Sequence, residues 1–230
     1  MIPFDAPKDY SDMLNKIAIF TFASAFIFTI IISSSSPLVK SFFEQFDIKV
    51  NFAGIEGIPI AYLVPPLIIA ILARIFKLHD RISDCFQIRH SYDINEILIP
   101  LAGGVGIPTN LVLIDKLKAN RDNLMQNVFY KYASSTDPKI DKHLIIMALD
   151  KWTWFWILIE LVVIGFISLI ALYILGAYKN AAIMATGISI GIIVTSFIRR
   201  ACSTNAHAEV NEILSDTTRR NEVKAIFDAL

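Results

Sequence analysis

Cysteine is nearly missing from this chain: 230 residues hold two, Cys85 and Cys202, with no CxxC pair and no histidine companion at metal-ligating spacing. That excludes a disulfide framework and a structural zinc site, and reduced thiols are expected. Charge is scarce too, at 18% of residues against about 25% in ordinary soluble domains. The 21 basic and 21 acidic side chains cancel, which removes the broad positive field that stable binding of double-stranded nucleic acid needs. Catalytic sets are missing as well. His79, Asp80, Asp84, His90 and Asp93 give the beginnings of a hydrolytic metal site, but His143 and His207 stand alone and no second cluster completes it. Arg81, Asp84, Arg89 and Asp93 fit a salt-bridged helical surface instead. With no nucleophile, acid/base dyad or cofactor fingerprint, neither enzyme activity nor a cofactor or metal is expected.

Apolar sequence is what abounds, at 55% of residues, and it is gathered into runs. No charge falls between Lys16 and Lys40, between Glu56 and Arg74, or between Lys179 and Arg199, and only Glu160 interrupts the stretch from Lys151 to Lys179. A bilayer takes about 20 apolar residues per helix, so four spans are predicted, over 17–33, 57–73, 152–173 and 181–198. The first has an acidic flank, which marks a retained anchor rather than a secretory signal. The second holds Pro59, Pro65 and Pro66, and should start near Pro65 or kink there. Three tryptophans open the third, Tyr173 and Tyr178 close it as an aromatic belt, and a short turn at 176–180 pairs it with the fourth. The uncharged run 97–114 has Pro100, Pro108 and three glycines and is assigned to a buried or re-entrant loop.

Lysine and arginine counts set the orientation. Eleven fall in 74–151, five in the C-terminal tail and two before the first span, against three (Lys40, Lys49 and Lys179) in the remaining loops. Both termini and the central segment are therefore expected in the cytoplasm of a bacterial cell, with the spans in its inner membrane. Apolar spacing past Arg74 predicts that the second helix continues into that segment. Asp93 and Glu96 read as a D-x-x-E cap, a helix should start at Thr109 or Asn110 and reach Tyr132, and Asp137–Pro138 should start one that runs into the third span. The tail from Thr204 is amphipathic and packs either on its own subunit or on a symmetry mate. The architecture predicted is an all-α integral membrane protein: stub and spans one and two in 1–76, a helical cytoplasmic module in 77–151, a transmembrane hairpin in 152–199 and an amphipathic helix in 200–230.

Several constellations bear on function, each with a plainer reading beside it. Glu160 lies inside a span, where a carboxylate is costly: it serves a gate or proton site, or it pairs with Arg74 or Lys77. Asp5, Asp9 and Asp12 share a face if helical, so a ring of subunits would make them cation-selecting rings; otherwise they are a solvated helix start. Thr21, Ser24 and Phe28 make the first span a sparse polar and aromatic lining, or else a packing face. The fourth span is rich in small and hydroxyl residues, including the GxxxG of Gly187 and Gly191, which suits close packing or a wetted path. Gly103, Gly104 and Gly106 before a helix, with Arg81 and Arg89 nearby in sequence, are candidates for holding an anionic ligand; a flexible turn is the alternative.

The four spans, together with HDRISDCFQIRHSYDINEILIPLAGGVGIP (79–108) and RRACSTNAHAEVNEIL (199–214), make the layout resemble the small pore-forming membrane effectors of bacterial anti-phage defence, the Hailong-type and related nucleotide-signalled channels. The resemblance implies a homo-oligomer, favoured as a tetramer, held shut until a nucleotide, an oligonucleotide or a partner nucleotidyltransferase opens it to ions and arrests growth. The competing readings are a non-conducting scaffold in the bilayer and a small transporter.

Overall fold

A computed structural model describes residues 5–46, 48–52 and 55–230. The chain is almost entirely helical: α1 (Tyr10–Ser35), α2 (Pro37–Glu44), α3 (Val64–Ile75), α4 (Leu78–Cys85), α5 (Ile88–Tyr92), α6 (Ile99–Gly104), α7 (Leu111–Ala119), α8 (Arg121–Leu124), α9 (Lys142–Ile174), α10 (Tyr178–Ser215) and α11 (Thr217–Asp228). A short antiparallel hairpin, β1 (Lys49–Phe52) and β2 (Ile55–Pro59), is the exception. Three helices, α1, α9 and α10, are long and apolar enough to cross a membrane. The chain is membrane-embedded through them. It divides into two compact units: an apolar unit of Leu14–His79 and Thr153–Phe197, and a polar unit of Asp80–Trp152, Ile198–Leu230 and the described part of Met1–Met13.

In the apolar unit, α1 has no proline or glycine to stop it before Pro37. Asp9 begins it, its carboxylate accepting the backbone N–H of Asp12 at 2.9 Å. Ser36 then caps α2 and Pro37 takes its first turn, where a missing N–H costs nothing. α3 starts on Val64 with Pro65 and Pro66 in its first turn, as the sequence predicted. It does not continue as predicted: Lys77 adopts a left-handed conformation (φ 46°), and α4 leaves at 62° to the segment before it. The hairpin between α9 and α10 closes on Gly176 (φ 72°), with the Ala177 N–H reaching back to Leu172 O at 2.9 Å. No atom stands near a Cβ at this glycine, so Gly176→Ala meets only backbone strain. It should cost about 1 kcal/mol, read as a lower apparent Tm of the solubilised protein.

α9 and α10 approach where glycine lets them. A Cβ at Gly165 would stand 3.1 Å from Ile188, and one at Gly191 would stand 3.2 Å from Val162. Gly187, the other half of the GxxxG, faces open space. Leu172, Ala181, Met184 and Ile188 form the core at the hairpin end, and Phe28 packs against it.

The polar unit buries Leu98, Leu101, Leu117, Leu124, Val128 and Ile213. Its helices are short. Asp93 does not act as a cap: it opens a π-helical turn, Asp93–Leu98, and its side chain is buried. The helix predicted through Tyr132 breaks at Asn120, and a second π turn, Met125–Phe129, follows α8. Asn110 caps α7 as expected, accepting from Leu113 N at 2.8 Å, whereas α9 starts at Lys142 behind Asp141 rather than at Pro138. α10 runs past Arg199 and Arg200 to Ser215, because nothing in 199–214 breaks a helix. Asp216 then caps α11. This tail packs on its own subunit: Val223 and Phe227 are buried, Lys131 and Tyr132 meet the Glu222 carboxylate at 2.5 and 2.6 Å, and Arg220 donates to Gly104 O at 2.9 Å.

Candidate functional site

The buried face of α1 carries Leu14, Ile17, Thr21 and Ser24, spaced by three and four residues, and that of α9 carries Thr153, Trp156, Ile157, Glu160 and Ile164. Helical periodicity therefore turns Thr21 and Glu160 inward together. The Thr21 hydroxyl donates to Glu160 Oε2 at 2.5 Å. Glu160 Oε1 stands 3.9 Å from Nδ1 of His79, whose side chain is 4% exposed, and the imidazole lies against Trp156 with ring centroids 5.8 Å apart. Lys16 is fully buried, its ammonium 4.6 Å from the centroid of Trp154. A cavity of about 10 Å³, close to the space one water needs, is bounded by Glu160, His79, Arg74, Ala73, Ile17 and Ala18 among others.

This arrangement corrects the expected ion pair. Arg74 donates to Asn15 Oδ1 at 3.2 Å, while Glu160 is held by Thr21 and faces His79. The physical reason lies in the chain reversal at Lys77, which carries Lys77 away from the helical course that would have stacked it above Arg74 and brings His79 in its place. Sequence reasoning set His79 only in a possible metal cluster and missed it as the neighbour of Glu160 for that reason; no glycine or proline announces the break.

The remaining candidates are placed as follows. Thr21 and Ser24 are buried within the apolar unit, Ser24 donating to Thr21 O at 3.0 Å, and Phe28 packs in the hairpin core. Asp5 and Asp9 precede α1, so the three aspartates do not share a helical face; Asp9 caps the helix and Asp12 accepts from Lys8 N at 3.3 Å. In the polar unit Arg89 donates to the Tyr130 hydroxyl at 3.2 Å and stands 3.9 Å from Asp80, and Arg81 is exposed. Gly104 is packed under Leu214, Gly106 takes a positive φ of 85°, and Gly103 is open on its Cβ side. The glycines thus admit the α10 end and the α11 guanidinium rather than forming a cradle with Arg81 and Arg89.

Two charged groups of the polar unit were not anticipated. Asp93, 3% exposed, takes both Nε and Nη2 of Arg121, at 2.9 and 2.7 Å; burial raises its carboxyl above the usual range while Arg121 pulls it down. Glu209, 5% exposed, has burial as the sole influence on its carboxyl, which is pushed up to about 8. The signal for Glu209 was in the sequence: Cys202, Ala206, Glu209, Val210 and Ile213 follow helical spacing, and all are buried.

The exposed side of the fourth span differs from the others. Ser189 and Ser196 lie on one line of α10, exposed, each hydroxyl bonded back to its own helix at 2.9 and 3.1 Å; Thr186, exposed and bonded back at 3.0 Å, falls by helical spacing nearer the apolar stripe. The neighbouring stripe of Ile183, Ile190 and Phe197 is apolar and exposed.

No solved structure matches the chain. Protein YmfE of Escherichia coli (strain K12) is 25% identical over 179 residues, covering 74% of this chain and 72% of its own. The profile of the YmfE protein family matches residues 9–228, nearly the whole chain with both units, and the chain belongs to that family.

Proposed function

We propose that the chain is one subunit of a homo-oligomeric channel in the bacterial inner membrane, opened through its polar unit, with both termini cytoplasmic. In this reading α3 and α4 together supply a fourth, broken crossing, as their combined apolar character and bend allow. The observation that carries the reading is α10. Its 38 residues carry the exposed hydroxyls of Ser189 and Ser196 in the apolar unit and continue without a break into the polar unit, so one helix both offers a wettable surface and belongs to the part that would receive a cytoplasmic signal. A single subunit has too few spans to enclose a path, and a symmetry axis lined by α10 provides one. This replaces α1 as the lining helix, since Thr21 and Ser24 are consumed inside the subunit. The trigger implied by the resemblance, a nucleotide or a nucleotidyltransferase, would act on the polar unit.

Cysteine accessibility tests the assignment. In a chain with Cys85 and Cys202 replaced by serine, Ser189→Cys and Ser196→Cys should react with a charged, membrane-impermeant thiol reagent at least about tenfold faster than Ile183→Cys and Ile190→Cys, because lipid excludes the reagent and water admits it. Equal protection of both stripes contradicts an α10-lined path.

A further inference from the structure

We propose that α2 and the turn after it form an interfacial lipid-binding element, with Leu38, Phe42 and Phe46 set into the headgroup and upper acyl layer of the leaflet that the C-terminal end of α1 reaches. The proposal rests on the membrane embedding of α1, α9 and α10 and not on the channel reading above.

The level of that leaflet is marked from three directions within the apolar unit. α1 is 26 residues long, about 39 Å at 1.5 Å per residue, which carries it across a hydrocarbon core of about 30 Å. Its apolar run stops at Ile32, and the serines that follow are tied to polar groups at the ends of its neighbours. Ser33 donates to the Tyr62 hydroxyl at 2.9 Å, in the turn that leads into α3, and Asn180 in the first turn of α10 donates to Ser35 Oγ at 2.5 Å. Two residues before Asn180, Tyr178 meets Tyr173 edge to face with centroids 5.4 Å apart, both rings exposed, as an aromatic belt requires.

α2 leaves α1 at this level after a single residue, Ser36, and none of its own residues is buried. Its two sides differ. Leu38, Phe42 and Phe46 follow one another at four-residue spacing and are 75, 55 and 51% exposed, with the rings of Phe42 and Phe46 5.6 Å apart. Phe43, on the edge of this ridge, packs on Tyr62 with centroids 4.9 Å apart and so ties α2 to the turn before α3. Lys40 and Glu44 lie on the opposite side, exposed, and pair at 3.7 Å. An apolar ridge left exposed by its own subunit, backed by a polar side and joined to the end of a span, matches a helix lying flat in a bilayer interface. The ridge presents on the order of 350 Å² by ordinary side-chain areas, against about 800 Å² on each side of a stable protein interface, which favours lipid over a second copy. Lys40 and Glu44 cancel each other's charge, so the attraction is apolar and does not select anionic headgroups.

Spin labelling of the full chain in liposomes tests this. With Cys85 and Cys202 replaced by serine, a nitroxide is placed in turn at Leu38→Cys, Phe42→Cys, Lys40→Cys and Glu44→Cys, and its collision rates are measured with molecular oxygen, which concentrates in lipid, and with a water-soluble nickel chelate. The ratio of oxygen to chelate accessibility should be at least about fivefold higher at 38 and 42 than at 40 and 44, and the same in phosphatidylcholine alone as in mixtures with phosphatidylglycerol. Either ridge position carries the test if the other variant fails to fold. A ratio uniform over all four positions overturns the proposal, as does protection of 38 and 42 from both reagents, which would mean that protein covers the ridge. A difference that appears only with phosphatidylglycerol overturns the apolar basis of the contact.

Discussion

Glu209→Gln should stabilise the polar unit, and more so as the pH rises. The carboxyl of Glu209 sits at about 8 in the folded chain against an ordinary 4.5, with burial as the cause. Between those two values the folded state keeps a proton that the unfolded state has lost. The contribution is therefore fully present below about pH 4.5, declines as the pH rises, and is exhausted near pH 8. At about 1.4 kcal/mol per unit of pKa difference, the alkaline cost is on the order of 5 kcal/mol. Glutamine keeps the shape and carries no charge at any pH. Apparent Tm measured from about pH 5 to about pH 9 should fall steeply for the wild-type chain and stay nearly flat for Glu209→Gln, the two converging in acid; parallel curves would show that Glu209 is not buried as described.

Arg121→Ala should destabilise the same unit by about 3 kcal/mol, since it leaves the Asp93 carboxylate buried without its partner. Asp93 is 3% exposed and its Oδ2 receives two guanidinium bonds, so the loss is that of a buried, doubly hydrogen-bonded pair rather than of a surface one. Asp93→Asn combined with Arg121→Gln restores a neutral hydrogen-bonded pair and should recover more than half of the loss. The π turn Asp93–Leu98 begins at one member of this pair and the π turn Met125–Phe129 follows the other closely in sequence, and limited proteolysis of Arg121→Ala should show new cleavage at both. Equal stability of Arg121→Ala and the double variant would mean that the pair contributes nothing beyond its shape.

What was legible in the sequence followed from periodicity and from residues that fix the backbone. The apolar runs located α1, α9 and α10, and Pro65 and Pro66 located the start of α3, because a proline in a first turn leaves a mark that tertiary structure seldom erases. The inward placement of Glu160 follows from its spacing with Thr153, Trp156 and Ile164. Its partner does not, because the left-handed turn at Lys77 is imposed by packing on a residue with no preference for it. The α10 continuation was hidden by Arg199 and Arg200, which resemble the end of a span by charge yet are good helix formers. Asp93 and Arg121 are far apart in sequence, and only the fold joins them.

The central claim is that identical subunits enclose an ion path along α10, and recording from planar bilayers tests it most directly. The Ser189→Cys chain, with Cys85 and Cys202 replaced by serine, is recorded between about pH 5 and about pH 8, before and after a charged thiol reagent. The account predicts stepwise conductance that the reagent reduces about tenfold or more in Ser189→Cys and leaves unchanged in Ile190→Cys. Silence from the wild-type chain and both variants throughout that range, or block at position 190 and not at 189, would contradict it.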